Sequence, residues 1–525
     1  MNLFARTSRL VCLLIGATAL LPALAVSRAG EPGKDPAVLA RRLDQHLNLA
    51  LREAGVESAP RADDAEFLRR VHLDLVGRIP RVSEVRAFLA NDRPNKREQL
   101  INDLLADPRH AIHQANLWRA ELLPEAASDR QAALLQRGFE NWLVQQFRQK
   151  VGYDRLTREL ITVPLPAVGQ PAEPILRDPE RPNPLAFIAS KGSRPENVAA
   201  AVTRTFLGMR LECAECHNHP FAKWTQEQFW NQAAFFGGLK KSGSGLFAPL
   251  NEDPAILTVH YEHEKKSYSA ELLTGEALPD VKRSGREMLA AWIVAPSNPF
   301  FAKAGANRIW GQLFGAGLVE PVDDFHDDNS PSHPALLDEL AGEFAASGFQ
   351  PDYLLTAICL TDAYQRTSAR TDPIQDKIRL PARMTVKALT GEQFFDSLSL
   401  AAGQQDQQDG GRARREFLSR FARLTAPSEP ETSVQQALTL LNGNFIAAVT
   451  NSKQNPTLIA VRETPGLTDP QRIETLYLAT LSRPPTNVEL ERLAAARATN
   501  NSDADEFYSD LFWLLLNSAE FRLNH

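Results

Sequence analysis

The sequence predicts a mainly α-helical protein of two helical modules with a small β-hairpin insert between them, and three observations predict it. Apolar residues recur every three to four positions through most of the chain, in stretches opened by capping residues and closed by Gly or Pro. Alternating, strand-like text is confined to one short region near the middle. A length of 525 residues exceeds what one hydrophobic core normally organises, so two domains are expected.

Residues 35–54 read as a first amphipathic helix. Asp63-Asp64-Ala65-Glu66 has the spacing of a capping box and opens a helix with Phe67, Leu68, Val71 and Leu75 on one face, ended by Gly77. Ile79-Pro80 breaks the chain before a helix over 84–90, and further helices fit 96–105, 109–123 and 134–148. The proline-rich stretch 162–183 reads as an irregular connection. Ile256–Tyr261 and Tyr268–Leu273 flank a charged turn and predict a hairpin. Beyond Gly285 the pattern is helical again: Ser332-His333-Pro334 starts one helix, and 432–450, 469–481, 486–497 and 503–517 supply others. The organisation is therefore a signal peptide over 1–29, a helical module over 35–240, a β insert over 241–280 and a second helical module over 281–525. This last module is expected to pack independently and to carry no cofactor. An internal echo links its end to the first module: Val71–Pro80 aligns with Leu476–Pro485, and Glu84 with Glu489, as expected of a reused helix–turn–helix unit.

Hydrophobic content of 43% and charge of 23% are those of a folding chain, and 28 Gly with 35 Pro exclude collagen-like or low-complexity sequence. A net charge of −6 without a long basic run argues against nucleic acid as partner. The beginning is different. Arg6 and Arg9 precede an apolar stretch from Leu10 to Leu21, and Ala23-Leu24-Ala25 offers a cleavage site, with Ser27-Arg28-Ala29 as a second. The expectation is export to the periplasm or cell surface, with no transmembrane segment after signal removal; an uncleaved anchor is the alternative. Three cysteines remain beyond it: Cys213, Cys216 and Cys359. That is too few for a disulfide scaffold, and Cys359 lies in an apolar helical run as a small core residue.

Cys213-Ala214-Glu215-Cys216-His217 is the chain's strongest chemical motif. On one turn of helix Cys213 and Cys216 share a face and His217 follows, which suits haem c: two thioethers hold the porphyrin edge and the next imidazole reaches iron. Phe206, Phe221, Trp224, Phe229, Trp230, Phe235 and Phe236 crowd the flanks, either as company for a hydrophobic cofactor or as core. Zinc held by Cys213, Cys216, His217 and His219 competes, and so does a plain disulfide. The sixth iron ligand is open. Met209 is too close to the proximal side, Met288 and Met384 read as core, and His260 and His263 would point to opposite faces of a strand. Asp323, Asp324, Asp327 and Asp328 lack the spacing of a calcium loop and read as a solvated loop. Gly243-Ser244-Gly245 follows no strand and reads as a linker. With no G-x-S-x-G, P-loop or H-E-x-x-H, no catalytic residue is assigned.

Phe67–Pro80 and Phe206–Phe221 resemble the opening and the hallmark of a cytochrome-like family abundant in planctomycete bacteria. Asn298-Pro299-Phe300, Asn307–Trp310, Phe314–Val319, Pro331–Pro334 and Leu516–Phe521 resemble its usual C-terminal companion domain of unknown function. The resemblance implies an exported protein with the cytochrome-like module first. The leading expectation is a haem-c protein for electron transfer or redox sensing, with a redox or cell-envelope protein as partner. The alternative is a non-enzymatic envelope structural or binding protein whose Cys/His motif is a zinc or disulfide clamp.

Overall fold

A computed structural model describes residues 35–167, 170–278, 283–404, 411–421, 449–499 and 504–525. The leader reading, and nearly all of the helix expected over 432–450, lie outside the described residues. Helices dominate, and they begin where side chains can satisfy the free amides of a first turn. α1 (Pro36–Glu53) is capped by the Asp35 carboxylate, and α2 (Asp64–Val76) by Asp63, which accepts the Glu66 amide at 2.8 Å. α2 ends at Gly77, whose φ of 70° is the left-handed conformation glycine adopts cheaply. α3 (Val82–Leu89) and the helices Lys96–Ala106, Pro108–Leu122 and Gln136–Arg148 follow as expected, and the proline-rich stretch carries the short helix Glu173–Leu176. The helix Pro334–Ala346 starts at the expected Ser332-His333-Pro334, with His333 accepting the Leu336 amide.

Among the described residues strands pair only locally or at the end of the chain. β1 (Leu239–Lys241) pairs antiparallel with β2 (Leu250–Glu252), the 243–245 turn lying between them. β3 (Thr258–Tyr261) and β4 (Lys266–Ser269) form the predicted hairpin. β5 (Lys387–Ala388) pairs with β6 (Leu523–Asn524), a contact too short and too distant in sequence to leave an alternating pattern.

The apolar packing does not divide at residue 281. One large core runs from Leu39 to Tyr364 and also takes in Met384 and Leu478. Tyr153 within it stacks 4.8 Å from Phe301 and also packs on Phe206 and Phe344. A smaller core gathers Phe394, Phe395, Leu476, Phe512 and Phe521, with Leu73 and Ile79 contributed from α2 and its end. Residues 35–525 accordingly form one compact unit, and the expected independent packing of 281–525 is not found. Every residue from Phe67 to Val76 is buried, so α2 is wrapped on all sides. Its polar side chains must then find partners inside the protein. Arg69 donates to the Thr480, Glu520 and Phe521 carbonyls. Arg70 reaches the Tyr364 carbonyl and Glu66.

The internal echo is a repeated geometry. Gly77 and its counterpart Ser482 both have positive φ, 70° and 62°. In each copy the following arginine meets the glutamate that caps the next helix: Arg78 lies 3.5 Å from Glu84, and Arg483 makes two 2.9 Å bonds to Glu489. Glu84 accepts the Arg81 amide and Glu489 the Thr486 amide. The two positions differ in their surroundings. A Cβ on Gly77 would stand 2.5 Å from His113 Nδ1. Gly77→Ser is therefore expected to cost at least about 2 kcal/mol, the left-handed penalty plus the clash. Ser482→Gly should stay within about 1 kcal/mol of the parent, since relief of strain offsets added chain entropy. Urea unfolding of the two variants measures the contrast.

Candidate functional site

The helix Pro195–Val202 loosens into a π turn at Thr203–Leu207 and stops at Gly208, with φ 70°. Only glycine fits there, because the Phe325 ring lies 2.7 Å from where a Cβ would be. A 3-10 turn over Leu211–Ala214 then carries Cys213, while Cys216 and His217 follow in irregular backbone. The single helical turn expected for the motif does not form. The carbonyls that would continue it are taken by side chains: Glu215 O accepts from Trp230 Nε1 at 3.0 Å and Gln226 Nε2 at 3.2 Å, and Cys216 O accepts from Gln226 Nε2 at 3.0 Å. The motif is thus an exposed loop pinned to the helix Gln226–Ala234, which opens with a Thr225–Gln228 capping box. Both thiols are exposed and free. Burial, then the Glu212 carboxylate, hold the Cys213 thiol above its ordinary range.

The two histidines of the loop differ in their hydrogen bonds. His217 Nδ1 lies 2.7 Å from the Asn218 carbonyl, which can only accept. Nδ1 therefore carries a proton, which places the lone pair of the neutral ring on the exposed Nε2. His219 Nδ1 instead accepts the amides of Phe221 and Ala222 at 3.2 and 2.9 Å, which leaves its proton on Nε2. Burial and the neighbouring His326 ring hold His219 below the ordinary histidine range, so this neutral form persists.

The flanking aromatics are core. Phe206, Phe229, Trp230, Phe235 and Phe236 are all buried, and Trp224 meets Phe300 edge-on. Phe221 alone among the seven is open to solvent, 71% exposed. Met209, Met288 and Met384 are buried too. Among the described residues no three His, Cys, Asp or Glu side chains are grouped to hold a metal ion.

Residues 42–241 match the PSCyt2 family, proteins of unknown function (DUF1549). Residues 285–429 match PSD1, likewise proteins of unknown function (DUF1553). The chain carries a PSCyt2 domain followed by a PSD1 domain. This is the usual planctomycete-type cytochrome-like pairing that the motifs resemble. No curated protein and no solved structure matches the chain.

The PSD1 segment builds one wall of the PSCyt2 motif. Phe325 N donates to the Gly208 carbonyl at 2.8 Å, and Arg210 grips Asp323 at 2.8 Å. Lys223 pairs with Asp327, and the His326 ring centre stands 6.3 Å from that of His219. The acid-rich loop is therefore a dock between the two segments more than a solvated loop. Sequence reasoning missed Gln226, Asn218 and His326, and read Trp230 only as a flanking aromatic, without its bond to the Glu215 carbonyl. Cys359 is buried as expected, its thiol raised by burial and then by Asp74. No helix among the described residues is long and apolar enough to cross a membrane.

Proposed function

We propose that this is an exported c-type cytochrome-like protein, in which Cys213 and Cys216 attach haem and His217 binds its iron, serving electron transfer or redox sensing in the cell envelope. Export rests on the leader-like residues 6–29. The hydrogen bonding of the two adjacent imidazoles carries the reading: His217 offers a free Nε2 and is oriented through Nδ1 by a backbone carbonyl, as iron-binding histidines are, while His219 has the opposite tautomer. Two free, exposed thiols on the same loop supply the attachment points. Haem, when bound, supplies a one-electron couple. The chain's own part is to hold: Gln226 and Trp230 fix the loop's backbone, and the Asn218 carbonyl fixes the His217 ring.

Protein matured in a host competent for c-type attachment should give a pyridine haemochrome with one haem per chain. Cys213→Ser and Cys216→Ser should each abolish two-thioether attachment, and His217→Ala should impair attachment and remove proximal ligation. His219→Ala should leave the haem content unchanged. A zinc clamp would instead lose its metal in all four variants. Wild-type protein without haem that binds one zinc, lost on His219→Ala, would overturn the proposal.

A further inference from the structure

We infer that two copies of this chain associate through the outer face of the helix Ala504–Asn517. The two helices pack antiparallel about a twofold axis that passes between Trp513 and Leu514.

The internal echo shows why this face is unusual. After a longer intervening stretch in the second copy, the likeness resumes in the next helix. Leu104-Leu105 and Leu515-Leu516 each stand shortly before a residue that caps a further helix, Asp107 and Ser518. Arg97 grips the Asp64 carboxylate at 2.8 Å, and Tyr508, in the matching place, donates to Asp469 at 2.7 Å. Ile101, Leu104 and Leu105 are buried, and so are their counterparts Phe512, Leu515 and Leu516. The two positions after Ile101 and after Phe512 face solvent in both copies. In the first copy they are Asn102 and Asp103, polar as a water-facing surface should be. In the second they are Trp513 and Leu514, 37% and 57% exposed. On the preceding helix the exposed Ser83 is likewise replaced by exposed Val488. One unit, at one set of outward positions, is thus polar once and apolar once. Adjacent Trp and Leu side chains left in water carry a free-energy cost that a covering surface removes.

The pattern around these two residues is the same in both directions, which points to a second copy as the cover. Asp510, Trp513, Leu514 and Asn517 have the i, i+3, i+4, i+7 spacing of a helix seam. A twofold axis between 513 and 514 lays Trp513 of one chain on Leu514 of the other and brings Asp510 to Asn517. Asn517 Nδ2 gives one hydrogen to the Trp513 carbonyl at 2.9 Å and has a second for that carboxylate. Antiparallel helices also set opposite dipole ends together. The unit already packs on its own kind within the chain. α3 lies on the helix Asp469–Thr480, where Arg86 donates to the Thr475 hydroxyl at 3.0 Å, and Leu73 and Ile79 enter the second core.

The test is sedimentation velocity on the exported protein, with a thiol reductant present so that Cys213 and Cys216 cannot cross-link chains. One helix pair is small beside a standard interface of about 1,600 Å², so the dimer should be weak and is followed from about 1 to about 200 μM. The weight-average mass should rise toward twice that of the monomer. Trp513→Asn with Leu514→Asp, which copies the first unit, should stay monomeric throughout. Its thermal midpoint should not change, because both residues are exposed. Asn517→Asp sets a carboxylate against Asp510 and should weaken association at least about tenfold, and adding Asp510→Asn should restore it. A wild type that is monomeric at every concentration overturns the inference and leaves the face to a different protein or to a membrane. A dimer that survives the Trp513 and Leu514 exchange, or a double Asp510→Asn, Asn517→Asp variant that does not recover, overturns it equally.

Discussion

Replacing Asp74 by alanine is expected to lower the unfolding free energy by about 3–5 kcal/mol, the usual effect of leaving a buried charge without its partner. Asp74 is 3% exposed on α2. Its Oδ1 accepts from Lys387 Nζ and Asn524 Nδ2, both at 2.7 Å, and its Oδ2 accepts from the Tyr364 hydroxyl at 2.8 Å. Burial already pushes the Lys387 ammonium below its ordinary range, and Asp74 is the main charge opposing that. Without the carboxylate, Lys387 keeps only the Gln312 and Leu313 carbonyls. The loss is a large fraction of a typical domain stability of about 5–15 kcal/mol. Lys387→Met in the same chain should recover part of it, because removing both charges is far cheaper than stranding one. Urea unfolding of the single and double variants tests this. A single variant within about 1 kcal/mol of the parent would show that the network does not hold the fold.

Stability should fall steeply as the pH drops from neutrality toward 4. His72 and His113 are buried, and burial pushes them from 6.5 down to about 4 and about 3. His72 donates Nδ1–H to the Leu68 carbonyl and is held neutral in the interior. Below 6.5 the unfolded chain takes up protons at these positions and the folded chain does not, so unfolding is favoured. The stabilisation is complete above 6.5 and is lost as the pH falls through the folded values. At about 1.4 kcal/mol per pKa unit, the two together withdraw several kcal/mol. Glu489, held to about 2 by Arg483, acts in a separate window below 4.5. Urea midpoints at about pH 7.5 and about pH 5 should differ clearly, and His72→Gln with His113→Gln should flatten the difference. Equal midpoints for the parent chain at both values would refute it.

What the sequence made legible was local. The cap at Asp63 is written within four residues of the helix it opens, and it forms. The β3–β4 hairpin lies within twelve residues of its own text. The echo at Gly77 and Ser482 was visible because both copies repeat the same arginine-to-glutamate spacing. The attachment residues were visible as types, but their backbone was not. The loop at 213–217 is pinned instead through its Glu215 and Cys216 carbonyls by Gln226 and Trp230, ten to fifteen residues away. The shared core was out of reach for the same reason on a larger scale, since Arg69 reads as a surface residue until Phe521 is brought to it.

That last pairing has a consequence for synthesis. Arg69 and its carbonyl partner at Phe521 are 452 residues apart in the chain. At roughly 5–20 residues per second, the ribosome makes the partner on the order of 20–90 seconds after the arginine. Through that interval α2 has no way to satisfy Arg69, and Asp74 likewise waits for Lys387 and Asn524. The helix at the centre of the finished protein is thus among the first parts made and among the last to settle, so a nascent chain halted before residue 480 should stay bound to holding chaperones.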